Sequence, residues 1–158
     1  MADRGARSIR MSEDEAWAFV ADAHTGILTT LRRDGSPIAL PIWFAVVDRR
    51  IYVSTRGKKV LRVRHDPRCS FLVEAGERWA ELEAVHLSCT GRVLDELSDD
   101  LRERIGAEMH RKYGAFRTAT RAMPTATRAA YDPASGAIIE LTVDGRILTW
   151  DNRRLGLG

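Results

Sequence analysis

Apolar positions recur along this chain first at helical spacing and then mostly in short strand-like runs. Ala16, Trp17, Phe19, Val20 and Ala23 form one stripe behind Ser12-Glu13-Asp14-Glu15. Ser12 suits the cap of that helix and Glu15 reaches back to it, so the pattern predicts a helix over 12–23. Residues 1–11 lack apolar periodicity and are expected to form a mobile arm. Gly26 opens a first strand, Ile27 to Arg32, and Arg33-Asp34-Gly35-Ser36 carries the Asp-Gly pair of a tight hairpin. A second strand is expected from Ile38 to Val47. Asp48-Arg49-Arg50 turns it into a third, Ile51 to Thr55.

Lys58 to His65 reads as a short helix stopped by Asp66-Pro67. Two further strands, Cys69 to Glu74 and Val85 to Leu94, flank a polar connection containing Trp79. Ser98 begins a helix with Leu101, Ile105 and Met109 on one side, ending near Gly114. Residues 115–135, with two prolines and several threonines, read as a loop with a helical turn. Ala137 to Val143, the turn Asp144-Gly145 and Arg146 to Trp150 are expected to close the chain as a hairpin. There is no internal repeat. Antiparallel strands joined by short turns, with a few helices, predict a β-barrel of α+β type in a single domain over 1–158.

Composition adds limits rather than identity. A chain of 158 residues with 44% hydrophobic and 30% charged side chains suits one soluble domain. No apolar run approaches the roughly 20 residues that span a bilayer, and the basic start lacks the apolar core of a signal peptide. The protein is therefore expected in the cytoplasm, away from membranes. Cys69 and Cys89 each fall inside a predicted strand and read as small buried hydrophobes. The histidines His24, His65, His86 and His110 show no metal-ligand spacing, so no metal is expected. No Walker loop, G-x-S-x-G elbow or G-x-G-x-x-G turn is present, which removes support for nucleotide-triphosphate chemistry and serine hydrolysis.

The candidate chemistry lies between Ser36 and Arg68. Arg56, Lys58, Lys59, Arg62, Arg64 and Arg68 face a single acid, Asp66, over thirteen residues. A solvated helix face accounts for many such charge runs. Here the run follows a strand ending in Ser54-Thr55, and Gly57 permits close backbone approach, which favours an anion. The segment lacks the interleaved aromatics of a nucleic-acid platform. Of 25 basic residues only Lys58, Lys59 and Lys112 are lysine, so two of the three sit together at this junction. Pro41 interrupts an otherwise good strand, which fits either an edge strand or a ligand lying where the ladder is broken. Ala39, Pro41 and Trp43 alternate onto one face. A phosphate-bearing cofactor with a flat ring suits both halves, and the lack of obvious acids and bases suits an enzyme whose cofactor does the chemistry.

The order G-I-L-T-T-L-R-R-D-G-S-P, P-I-W-F-A-V, I-Y-V-S-T-R-G-K-K and D-P-R-C-S-F-L-V-E resembles the pyridoxamine 5'-phosphate oxidase-like split β-barrel family. Within it, the likeness is greatest to the flavin/deazaflavin oxidoreductase branch that uses coenzyme F-420. The resemblance implies a homodimer with cofactor sites at the subunit interface. It also implies a phosphate held by Ser54, Thr55, Lys58 and Lys59, and a ring along Ala39, Pro41, Ile42 and Trp43. Members hold FMN, coenzyme F-420, FAD or a tetrapyrrole such as haem. Arg56, Arg62 and Arg64 offer more cations than one phosphate requires, which favours the deazaflavin with its acidic tail. The arginine-rich composition, typical of GC-rich genomes, points the same way. The pyridoxamine-phosphate substrate motif of the true oxidases is not apparent. The reading is therefore hydride transfer from reduced coenzyme F-420 to a small organic acceptor, with an FMN enzyme or a non-catalytic flavin or tetrapyrrole carrier as rivals.

Overall fold

The computed structural model describes residues 8–130 and 136–156. Its first helix, α1 (Glu13–Asp22), starts as the sequence predicts. The Ser12 hydroxyl accepts from the Glu15 N–H at 3.2 Å, and the Glu15 carboxylate accepts from the Ser12 N–H at 2.7 Å. Its stripe buries Ala16, Trp17 and Val20.

Eight antiparallel strands follow: β1 (Gly26–Leu31), β2 (Pro37–Ile42), β3 (Ala45–Val47), β4 (Arg50–Thr55), β5 (Arg68–Ala75), β6 (Glu83–Leu94), β7 (Ala137–Val143) and β8 (Leu148–Asp151). Helix α2 (Lys58–His65) separates β4 from β5. Helices α3 (Asp99–Tyr113) and α4 (Thr125–Ala130) fall between β6 and β7. Three-residue 3₁₀ turns carry Trp79–Glu81, Gly114–Phe116 and Thr120–Ala122. The sheet runs β2-β1-β5-β6-β7-β4-β3, with β8 paired to β6. This is an antiparallel barrel-like α+β fold. Its interior holds Leu28, Phe44, Ile51, Val53, Phe71, Val73, Val85, Leu87, Ile139 and Leu141, all essentially inaccessible. Gly26 lets β1 pass Phe71 closely, since a Cβ there would fall 2.1 Å from the ring.

The single strand expected over Ile38–Val47 is two. The chain pairs with β1 as far as Ile42, gives up that ladder over Trp43 and Phe44, and pairs with β4 from Ala45. Because β2 and β3 are the two ends of the sheet order, this two-residue crossing carries the backbone from one edge to the other. A continuous apolar run conceals such a switch because both halves stay extended. Pro41, with no N–H to donate, sits on the edge strand just before it.

Two other expectations need correction. The final hairpin does not form: β7 and β8 lie end to end along the same side of β6, Val143 opposite Cys89 and Leu148 opposite His86. Asp144-Gly145, with Gly145 at φ 77°, therefore belongs to an outward bulge, and Ile147 returns to the core. The N-terminal arm is tied down over its described part. The Asp151 N–H donates to the Ile9 carbonyl at 2.7 Å, the Met11 N–H donates to the Thr149 hydroxyl at 2.9 Å, and Met11 packs on the core. Residues 1–7 of that expectation, and 131–135 of the expected loop, lie outside the described residues. The rest of the loop carries α4 and two of the 3₁₀ turns.

Cys69 and Cys89 are free and face each other across β5 and β6, and burial pushes each thiol up to about 12. They behave as hydrophobes. Among the described residues no helix is long and apolar enough to cross a membrane.

Candidate cofactor cleft

Strand β4 delivers Ser54 and Thr55 to the rim of the barrel, and Gly57 then adopts φ 69°, ψ −136°, a conformation that only glycine takes without strain. The turn starts α2 with Lys58 and Lys59 in its first turn. No side chain caps that end and no acid lies in the first turn. Lysines at a helix N-terminus add positive charge where the peptide dipoles already concentrate it, an arrangement that an anion relieves. Neither lysine's ammonium makes a hydrogen bond or ion pair with a described residue.

The edge-to-edge crossing faces this junction. Thr25, Pro41, Ile42, Trp43, Ser54, Thr55 and Lys59 line one cleft of about 420 Å³. Ser54, Thr55 and Lys59 are shared with an adjoining recess of about 280 Å³, completed by Arg56 and Gly136. Seven of the ten residues singled out in the sequence are thus gathered around one opening. The Arg56 guanidinium also donates to the Ala130 carbonyl.

The other three lie elsewhere. Ala39 is exposed on β2 but does not line the cleft. Lys58 and Arg62 line a separate groove of about 520 Å³ with Leu31, Arg32, Arg33, Leu61 and His65. Arg62 is partly committed, since its Nε donates to the buried Thr30 hydroxyl at 2.8 Å. Arg64, expected among the surplus cations, instead pairs with Asp95 at 2.6 Å. Another cleft, of about 510 Å³, opens between α1 and the β3–β4 turn. Two of the three arginines that line it are already matched, Arg49 with Glu13 and Asp14 and Arg50 with Glu140. It offers an anion less.

Several residues at the cleft were not foreseen. Thr25 joins it from the turn before β1. Behind Trp43 stands Tyr113, the last residue of α3, with rings stacked at 4.4 Å and 7°. The buried Tyr113 hydroxyl accepts from the Phe44 N–H at 2.9 Å and donates to the Phe44 carbonyl at 3.0 Å. His24 meets Trp43, Tyr113 and Phe116 edge-on. Lys112 is buried beside them, its ammonium 3.6 Å from the centre of the Phe44 ring and without a hydrogen-bond acceptor. Burial pushes its pKa down to about 8, helped by Arg111 and opposed by Glu108 and Asp22. That Lys112 is the third lysine of an arginine-rich chain was the one signal available in the sequence.

Among the described residues no cluster of His, Cys, Asp or Glu could hold a metal. The cleft combines hydroxyls, backbone N–H groups and an ammonium at one end with proline, isoleucine and indole surface at the other. Those donors fit a phosphate, and the apolar wall fits a flat ring.

The same architecture occurs in solved structures. The conserved hypothetical protein Rv2991 from Mycobacterium tuberculosis is 28% identical with a TM-score of 0.77, matching 99% of this chain and 94% of its own. An FAD-binding protein from Mesorhizobium loti is 16% identical with a TM-score of 0.66, over 88% of this chain and 94% of its own. An F-420 reductase is 18% identical with a TM-score of 0.59, over 83% and 94%. Haem-binding proteins share the fold as well. No curated protein sequence matches the chain. Residues 12–147, from the cap of α1 to the bulge before β8, match the pyridoxamine 5'-phosphate oxidase family, and the chain belongs to it.

Proposed function

We propose that this protein is an oxidoreductase that binds reduced coenzyme F-420 and passes hydride from it to a small organic acceptor. The observation that carries the reading is the single cleft joining the uncapped start of α2, with Lys59, Ser54 and Thr55, to the wall formed by Pro41, Ile42 and Trp43. Lys59 and the two hydroxyls hold the phosphate, and Arg56 adds charge in the adjoining recess. Pro41, Ile42 and Trp43 support the ring and keep water from one side of it. When bound, the deazaflavin supplies the hydride. The chain need only orient ring and acceptor and exclude solvent, which agrees with the lack of an acid–base pair among the cleft residues.

Two observations favour the deazaflavin over FMN. The groove beside the cleft presents Arg32, Arg33, Lys58, Arg62 and His65 with no acid among its lining residues, as an acidic tail would require. An F-420 reductase also shares the fold. Equilibrium titration with coenzyme F-420, FMN, FAD and haem side by side tests the reading. Coenzyme F-420 should bind most tightly and weaken most as salt rises, because exposed ion pairs are screened over about 10 Å at 0.1 M. Equal, salt-independent affinities for F-420 and FMN would overturn the preference. Tight binding without turnover of any acceptor would favour a carrier.

The same reading includes a homodimer. Pro41, Ile27, Leu72, His86 and Leu148 stand opposite one another across five strands, and none is buried. Trp150 extends that apolar row on β8. A second copy would cover it and also close the cleft beside Pro41. Sedimentation at micromolar concentration should give a dimer. A monomer that still binds cofactor would refute the shared site.

A further inference from the structure

The crossing at Trp43 and Phe44 creates a problem that one side chain solves. Phe44 belongs to neither ladder, since β2 ends at Ile42 and β3 begins at Ala45, yet it is completely buried. A buried N–H and C=O left unpaired are costly. The Tyr113 hydroxyl meets both, at 2.9 and 3.0 Å, while its ring lies flat against the indole of Trp43. One residue therefore fixes the backbone of the crossing and the plane of the indole that lines the cleft. His24 meets both rings of the stack edge-on and is met in turn by Phe116, and Lys112 packs over the Phe44 ring from within.

We propose that Tyr113 is a positioning residue: it holds Trp43 in the orientation that makes it a wall for the cofactor ring, so ring affinity is set partly from the end of α3. The inference rests on the cleft being a ring site. The Tyr113 hydroxyl serves the backbone of the crossing, and its ring serves the indole. The tyrosine does both jobs at once, and Phe at 113 separates them by keeping the stack and losing the two hydrogen bonds.

The test uses FMN and coenzyme F-420 as probes of the full chain, with Tyr113→Phe, Trp43→Ala and the double variant. Tyr113→Phe should weaken both probes roughly tenfold, the loss of about one good hydrogen bond's worth of organisation. Its salt dependence should match the parent's, because the charged contacts are untouched. In the Trp43→Ala background the same change should cost less than about twofold, since the wall it positions is gone. Unchanged affinity of Tyr113→Phe, or a full tenfold loss also without Trp43, would overturn the inference. Should Tyr113→Phe fail to fold, Trp43→Leu keeps the bonds to Phe44 and should weaken both probes by a similar factor; unchanged affinity there would overturn it equally. If the parent bound neither probe, the ring site itself would fall and the inference with it. Binding that depends on Lys59 but not on Tyr113 or Trp43 would leave the phosphate site standing alone.

Discussion

Lys59→Ala is expected to weaken binding of both FMN and coenzyme F-420 by roughly 10- to 100-fold, the loss of one charge-assisted phosphate contact worth about 1.5–3 kcal/mol. Lys58→Ala should behave differently although it is the adjacent residue. Lys59 lines the cleft, whereas Lys58 lines the groove on the other side of α2 with Arg62 and His65. Losing Lys58 should therefore cost coenzyme F-420 about tenfold and FMN only about two- to threefold, because only the former carries further carboxylates. The double variant should be the weakest of all, by about 100-fold or more for F-420 if the two losses add. Stability should hold or rise slightly, since both substitutions remove positive charge from a helix N-terminus that has no acid in its first turn. Arg104→Ala, which removes an exposed pair with Asp48, is the control and should leave binding intact. Parent-like affinity in the double variant would place the phosphate elsewhere.

Lys112→Met is the second large effect, and it acts on stability. The Lys112 pKa is pushed from 10.5 down to about 8, so the folded protein releases a proton that the unfolded chain still holds between those values. Stability of the parent should therefore rise with pH from about 8 to 10.5, with the full penalty of the buried ammonium present below about 8. Contact with the Phe44 ring offsets part of it. Methionine keeps the length of the side chain and drops the charge, so the variant should be more stable near pH 7 by about 1–3 kcal/mol. The advantage should shrink as pH approaches 10.5. Urea unfolding of both proteins at pH 7 and pH 10 measures it, and a constant difference would mean that Lys112 is not the group titrating.

Local grammar carried much of this fold. Ser12 and Glu15 announce α1 by a mechanism confined to four residues, and α2 is bounded just as locally, by Gly57 before it and Asp66-Pro67 after it. What escaped the sequence is where chain direction persists while pairing changes. Ile38–Val47 is one apolar run, yet its first half pairs with β1 and its second with β4. Residues 137–151 hold an Asp-Gly pair that suits a hairpin, but β6 is long enough to pair with both β7 and β8 along one side. In both cases the partner strand decides, and a partner is not visible in local spacing.

The candidate site divides along the same line. Ser54, Thr55, Lys59, Pro41, Ile42 and Trp43 meet because β4 ends opposite the crossing that joins the two sheet edges. Lys58 and Lys59 are adjacent in sequence but part around the helix, as successive residues on a helix do, so one faces the cleft and the other the groove. Arg64 was indistinguishable from Arg62 by composition until Asp95 took it as a partner. Tyr113 gave no signal at all, because its role depends on a backbone break 69 residues away in sequence.

A crystal structure of the protein with coenzyme F-420 bound tests the central claim most directly. The phosphate should lie within about 3 Å of the Lys59 ammonium and of the Ser54 or Thr55 hydroxyl, a normal charge-assisted distance. The ring should rest against Pro41, Ile42 and Trp43. A phosphate seated instead in the cleft between α1 and the β3–β4 turn, or a ring lying away from Trp43, would contradict the account.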